Sequence, residues 1–185
     1  MLFRSDYGTV YAPAEVATLS TIVREWKLKV HLDGARLANA VVSLGCAPAD
    51  VTWRAGVDVI TLGATKNGAF GVDAIVSFDR AASHELVYRV KRAGHVASKM
   101  RFPSAQLTAY LSDGLWLRMA RSANAAMARL ARGLSNLGLE ALSPPAVNML
   151  FLQLPDAVID RLGRDGLLFY RIGPGLVRLV TSFQT

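Results

Sequence analysis

The chain has 185 residues, 52% of them hydrophobic, and a formal charge of +7 from 21 Lys and Arg against 14 Asp and Glu. That length holds one ordinary domain or two small ones, and no apolar run approaches the roughly 18–20 residues of a bilayer-spanning helix, so no membrane partner is expected. The single cysteine, Cys46, excludes an internal disulfide framework and fits a reducing, cytoplasmic location.

In chain order, residues 2–5 (LFRS) match a peptide that a common sequencing adaptor encodes in one frame, and are expected to be foreign. Arg4 and Asp6 interrupt the start before any signal-like apolar region develops. Helical spacing over 13–27 puts Val16, Leu19, Ile22, Val23 and Trp26 on one face. A strand is predicted over 28–32, ending at Asp33-Gly34, then a helix over 35–44 stopped by Gly45. A short turn or helix follows at 48–55, a strand at 57–62, a loop at 63–68 and a strand at 73–78. This alternation, with near-continuous apolar strands, predicts an α/β class with a mostly parallel, buried sheet.

After residue 80 the pattern changes. Helices are predicted over 81–92 and 104–136, with Gly94, Pro103 and Asp113-Gly114 as interruptions. A strand at 148–154, a helix at 156–164 and strands at 167–172 and 176–181, joined by Gly173-Pro174-Gly175, complete an α+β second half. The expected division is 1–112 and 113–185. Both ends read as cut, because three strands are few for a doubly wound sheet and the chain stops just after a strand.

The densest basic cluster is Arg89, Lys91, Arg92, Lys99 and Arg101. It reads first as a solvated helix face, then as a phosphate or carboxylate site, and last as a nucleic-acid surface. No metal-ligand spacing is present, and neither nucleic acid nor metal is expected as a partner. Trp26, Trp53 and Trp116 read as packing residues.

Asp33 follows an apolar strand at its carboxyl end, where ligands sit in open α/β sheets. Alone it reads as turn chemistry. Lys66 follows the next strand among small residues (Gly63, Ala64, Gly68, Ala69), which leave room for a planar ligand. Thr65 adds a hydroxyl that can reach a phosphate. Two successive strands thus deliver a carboxylate and an amine to one sheet edge. Pyridoxal phosphate (PLP) needs both: a lysine for the Schiff base and a carboxylate to keep the pyridine nitrogen protonated. A buried lysine would also have a lowered pKa. The structural alternative, a buried Asp–Lys ion pair, is costly to desolvate. His31 shares Asp33's strand face, to orient Asp33 or contact the ring; a satisfied core histidine is an equal reading.

HLDGARLANA (31–40) followed by TLGATKNGA (61–69) resembles the threonine aldolase and aromatic-amino-acid β-eliminating lyase group of fold-type I PLP enzymes. YGTVYAPAEV (7–16), VKRAGHVASKMRFPSAQLTAYL (90–111) and VRLVTS (177–182) agree, so the resemblance runs from about Asp6 to Thr185. It implies a piece of the fold-type I large domain followed by a smaller α+β domain. It assigns Lys66 the Schiff base and Asp33 the pyridine nitrogen. By the same resemblance Arg36 would lie near cofactor and substrate, Arg178 would clamp the substrate carboxylate, and Lys91 would lie near the site. Without the resemblance, Arg178 reads as an exposed strand arginine. The implied reaction is Cα–Cβ cleavage of a β-hydroxy-α-amino acid such as threonine, in a homodimer or homotetramer. A β-eliminating lyase on the same scaffold and an inactive fragment or interaction module are the alternatives. By the resemblance, the family's phosphate-binding helix and ring-stacking imidazole precede the region that this chain matches, and the base is not named by this sequence.

Overall fold

The computed structural model describes residues 7–185. The expectations about residues 2–5, a leader and the start of the resemblance at Asp6 lie outside the described residues.

Helix α1 (Pro13–Glu25) starts where Pro13 presets the first turn, and Glu15 accepts the Ala12 amide at 2.6 Å. Of the expected face, Val16 is buried and Val23 packs against the core, while Ile22 is half exposed and Trp26 is 75% exposed; Ser20 is buried in addition. The helix stops at Glu25, and Lys27 turns left-handed at φ 56°, so Trp26 leaves the helical face. Ser20 faces Gly56, where an added Cβ would stand 2.8 Å from the serine Cβ. Only a small side chain allows that approach, and the Ser20 hydroxyl is satisfied by the Val16 carbonyl at 2.8 Å.

Strand β1 (His31–Gly34) begins later than predicted, because the Val30 amide is taken by the Asp58 carboxylate at 2.8 Å. Helix α2 (Leu37–Leu44) ends at Gly45, as expected, and Gly45 takes the left-handed conformation. Two 3-10 turns (Pro48–Val51 and Trp53–Ala55) lead to β2 (Val59–Gly63), a further 3-10 turn (Thr65–Asn67) and β3 (Asp73–Ser77). Strands β1 and β2 are parallel, with Asp33 opposite Thr61. The expected parallel order holds for that pair only, since β3 returns antiparallel to β2. The link from 64 to 72 is shorter than the dozen or so residues of a parallel crossover.

One sheet face carries Leu32, Ile60 and Leu62 into a core with Val16 of α1 and Leu37 and Val41 of α2. The other carries His31, Asp33, Thr61 and Ile75, and here His31 is exposed and Ile75 is 47% exposed. Burial on both faces is therefore not observed. The strands alternate, as a one-sided sheet must. Trp53 is also exposed, beside the Arg54 guanidinium; of the three tryptophans Trp116 alone packs on this core.

Helix α3 (Arg80–Arg92) buries no residue, consistent with a solvated basic face, and lies against β3. Helix α4 (Arg101–Leu111) starts earlier than predicted because Pro103 falls within its first turn, where no amide is required. Asp113, at φ 51°, separates it from α5 (Leu115–Ser135). Strand β4 (Met149–Gln153), α6 (Asp156–Arg164), β5 (Tyr170–Gly173) and β6 (Leu176–Val180) follow, and the second sheet runs β4-β6-β5, all antiparallel. Leu150, Leu152 and Val177 face Met127 of α5 and Ile159 of α6; Met149 and Phe151 face Val10 on the other side.

Helix α5 joins the two cores. Its small residues Ala120, Ala123 and Ala126 are buried, and Asn124 exchanges hydrogen bonds with Asn39 of α2 at 2.9 and 3.0 Å. Toward the second sheet, the Thr181 hydroxyl donates to the Ala123 carbonyl, and Asn148 Nδ2 donates to the Thr181 carbonyl, both at 2.7 Å. Thr181 is 4% exposed, so water cannot replace its partner. Thr181→Val should lower stability by about 1 kcal/mol, read as a lower urea midpoint at constant slope.

Candidate active site

The turns that leave β1 and β2 at their carboxyl ends lie side by side. In the first, Asp33 Oδ1 accepts the Ala35 amide at 3.0 Å, closing a local turn. No other described residue hydrogen-bonds to this carboxylate, so Oδ2 is uncommitted, and the side chain is half-buried on the open sheet face. Arg36 follows as the residue preceding α2, half-buried, its carbonyl accepting the Ala40 amide. His31 shares Asp33's face. Its Nε2 lies 3.0 Å from Thr61 Oγ1, and because the ring is exposed the core-histidine reading does not hold.

The second turn carries Lys66. Gly63 presses on the first turn: a Cβ there would stand 2.5 Å from the Ala35 Cα. Asp73 Oδ1 accepts the Ala64 amide at 2.8 Å and the Thr65 amide at 3.1 Å. Thr65 Oγ1 donates to the Val72 carbonyl at 3.2 Å. Asn67, 5% exposed, donates to the Tyr110 hydroxyl and the Trp116 carbonyl, both at 2.8 Å. Gln106 holds the Phe70 amide at 2.7 Å and its carbonyl at 3.2 Å. Lys66 itself is exposed, so the expected burial is not met, and neither is the alternative of a buried ion pair.

Arg178 lies on β6, opposite Phe151 and Tyr170. Its guanidinium carbon sits 4.2 Å from the Tyr170 ring centroid, and its buried Nε has no hydrogen-bond partner among the described residues. It is half-buried rather than an exposed strand arginine. The segment after β6 runs back to the Lys66 turn, where Phe183 Cε1 would lie 3.1 Å from a Cβ on Gly68. Asp33, Arg36, Thr65 and Lys66 are thus gathered at one edge, with His31 on Asp33's face at the start of β1, and the strand bearing Arg178 leads toward that edge. Lys91 is on the exposed helix α3 and is not tied to that edge by any hydrogen bond or ion pair among the described residues.

Sequence reasoning missed Thr61, Asn67, Asp73, Gln106 and Tyr110. Thr61 carried a signal, being the polar residue within an apolar strand and in register with Asp33. Tyr110 and Gln106 carried none, because they reach the turn from 36 to 47 residues away.

The family model for beta-eliminating lyases matches residues 4–157. The chain belongs to the beta-eliminating lyase family. Within it, the chain is 41% identical over 183 residues to a low-specificity L-threonine aldolase of Pseudomonas sp. strain NCIMB 10558, covering 98% of this chain and 53% of that protein. It is 42% identical to a low-specificity L-threonine aldolase of Pseudomonas aeruginosa, with the same coverage. Among solved structures, the Leishmania major threonine aldolase superposes with a TM-score of 0.87 at 30% identity, over all of this chain and 55% of that one. The chain therefore spans about half the length of the relatives it matches, and this beta-eliminating lyase family member carries the α/β fold of the fold-type I scaffold. Among the described residues, no helix is long and apolar enough to cross a membrane.

Two outcomes follow from the turn geometry. Gly63→Ala should cost about 1–3 kcal/mol in chemical denaturation, because the atom it meets is backbone and cannot swing away. Burial holds the Tyr110 phenol above its ordinary pKa, opposed by the Asn67 hydrogen bond and aided by the Asp73 charge. The unfolded chain would ionise this phenol from about pH 10, before the folded one does, so stability falls as pH rises beyond that point. Tyr110→Phe should flatten that alkaline decline when urea midpoints are compared between pH 8 and 11.

Proposed function

We propose that this chain carries the Schiff-base and ring-nitrogen side of a PLP-dependent lyase that cleaves the Cα–Cβ bond of β-hydroxy-α-amino acids, threonine giving glycine and acetaldehyde. The observation that carries the reading is the juxtaposition of Asp33 and Lys66 at the ends of two paired parallel strands, on an open sheet face. The residues fit the cofactor's chemistry. A carboxylate with an uncommitted oxygen suits a pyridinium N–H, an exposed amine suits an aldehyde, and an arginine with an unpartnered buried Nε suits a carboxylate.

When bound, the cofactor supplies an electron sink for the pair left on Cα as the Cα–Cβ bond breaks. Asp33, through the oxygen that Ala35 does not use, would hold the ring nitrogen and favour its protonated form. Lys66 would be the residue that holds the cofactor, through its amine, at the end of β2. Arg178, braced by Tyr170, and Arg36 hold the substrate carboxylate, which fixes the orientation of the bond to be broken. A base would take the β-hydroxyl proton as the carbonyl of acetaldehyde forms, and Cα would regain one proton to give glycine, so the cleavage is proton-neutral overall. Thr65 and His31 complete the polar surround on the cofactor side; Lys91, exposed on α3, is left out of it. The open face bearing Ile75 supports association with further protein, as a homodimer or homotetramer, and the location proposed is the cytoplasm.

Mixing the chain with PLP should give a visible absorption band that Lys66→Ala abolishes. Asp33→Asn, which retains the acceptor for Ala35, should keep the band yet lower threonine cleavage by about 10²–10³-fold. Aldehyde from threonine and phenylserine supports the aldolase, while pyruvate from serine would favour β-elimination.

A further inference from the structure

We infer that Asp73 is the positioning residue that holds Lys66 in line with Asp33. The inference rests on the reading of Lys66 given above. Asp73 opens β3 and pairs with Gly63, the last residue of β2. From there its Oδ1 accepts the two successive amides, Ala64 and Thr65, that lead directly into Lys66. One carboxylate oxygen serving two N–H donors makes charge-assisted bonds, stronger than neutral ones.

The same rung reaches the other half of the site. Gly63 touches the Ala35 backbone so closely that any Cβ would stand 2.5 Å from the Ala35 Cα, and the Ala35 amide is the one that Asp33 Oδ1 accepts. A continuous path therefore runs from Asp73 through the Lys66 turn and Gly63 to the Asp33 turn. Thr65 Oγ1, bonded to the Val72 carbonyl beside Asp73, closes the turn from its other side. Without the Asp73 oxygen the amides of Ala64 and Thr65 lose their acceptor, and the backbone bearing Lys66 loses its reference to β3. Asp73 touches neither cofactor nor substrate in this account; it acts through the backbone of the turn.

The test compares wild type, Asp73→Ala, Asp73→Asn and Asp73→Glu in the full chain, with two readouts. The first is amide hydrogen exchange at Ala64 and Thr65 without cofactor. The second is the rate at which PLP is captured on Lys66 Nζ, trapped by borohydride and located by peptide mass spectrometry. Capture on the exposed Lys91 serves as the internal standard. Asp73→Ala should speed exchange at both amides and slow Lys66 capture relative to Lys91, each by about tenfold. Asp73→Asn keeps an oxygen in place and should restore both to within about threefold of wild type. Asp73→Glu, which moves the oxygens by a methylene, should behave like Asp73→Ala and decides the matter if the alanine variant does not fold. Wild-type capture at Lys66 that is unchanged in Asp73→Ala and Asp73→Glu overturns the inference and leaves the functional reading standing. Absence of capture at Lys66 in wild type overturns the functional reading, and the inference with it.

Discussion

At the end of β2 the Gly63 backbone lies against that of Ala35, with no space between them for a single carbon. Two parallel strands end together there, β1 with Asp33 as its penultimate residue and β2 leading into the turn that carries Lys66. The parallel register places Asp33 opposite Thr61, two residues before Gly63, so the Asp33 turn and the Lys66 turn emerge at the same level. A larger residue at 63 would part them. Helix α2 depends on the same contact, because it begins just beyond Ala35 and its Leu37 and Val41 complete the core beneath the sheet.

That local arrangement is held from outside by elements distant in sequence. Tyr110 of α4 and the Trp116 carbonyl of α5 receive Asn67, while Gln106 of α4 holds the Phe70 backbone. Helix α5 then runs past α2 to the second sheet, where Ala123 accepts from Thr181. Since Thr181 directly follows β6, the strand of Arg178 is referenced to the helix that also braces the Lys66 turn. The two cores are therefore not independent: the helix face that buries Ala120 and Ala123 sets one against the other.

Sequence patterns made most of the framework legible. Apolar runs located the strands, and Gly45, Asp113-Gly114 and Gly173-Pro174-Gly175 marked the reversals, because turn conformation is a local property. What eluded them was set by contacts across the chain. The face of α1 turned toward Ser20 because Gly56, 36 residues later, leaves no room for a larger side chain. The direction of β3 depended on loop length rather than on apolar content. For the site, Asp33 and Lys66 could be paired because one closes a strand and the other lies just past the next strand of the same sheet. Asp73, Asn67 and Tyr110 could not, because a side chain that binds backbone amides or a buried hydroxyl leaves no periodic trace.

The polar groups around these turns differ in how fully their bonding capacity is used. Asn67 and Tyr110 are buried and satisfy one another, and the Asp73 Oδ1 is engaged by two amides; such groups hold shape. Asp33 is different. One oxygen is spent on its own turn, which fixes the carboxylate, and the other is left uncommitted on a sheet face that the described residues do not cover. Arg178 is the same in kind: its ring contact with Tyr170 orients the guanidinium without neutralising it. A chain seeking stability alone would pair these charges or leave them in water. Orienting each while keeping part of its bonding capacity unused is what binding a charged, planar ligand requires.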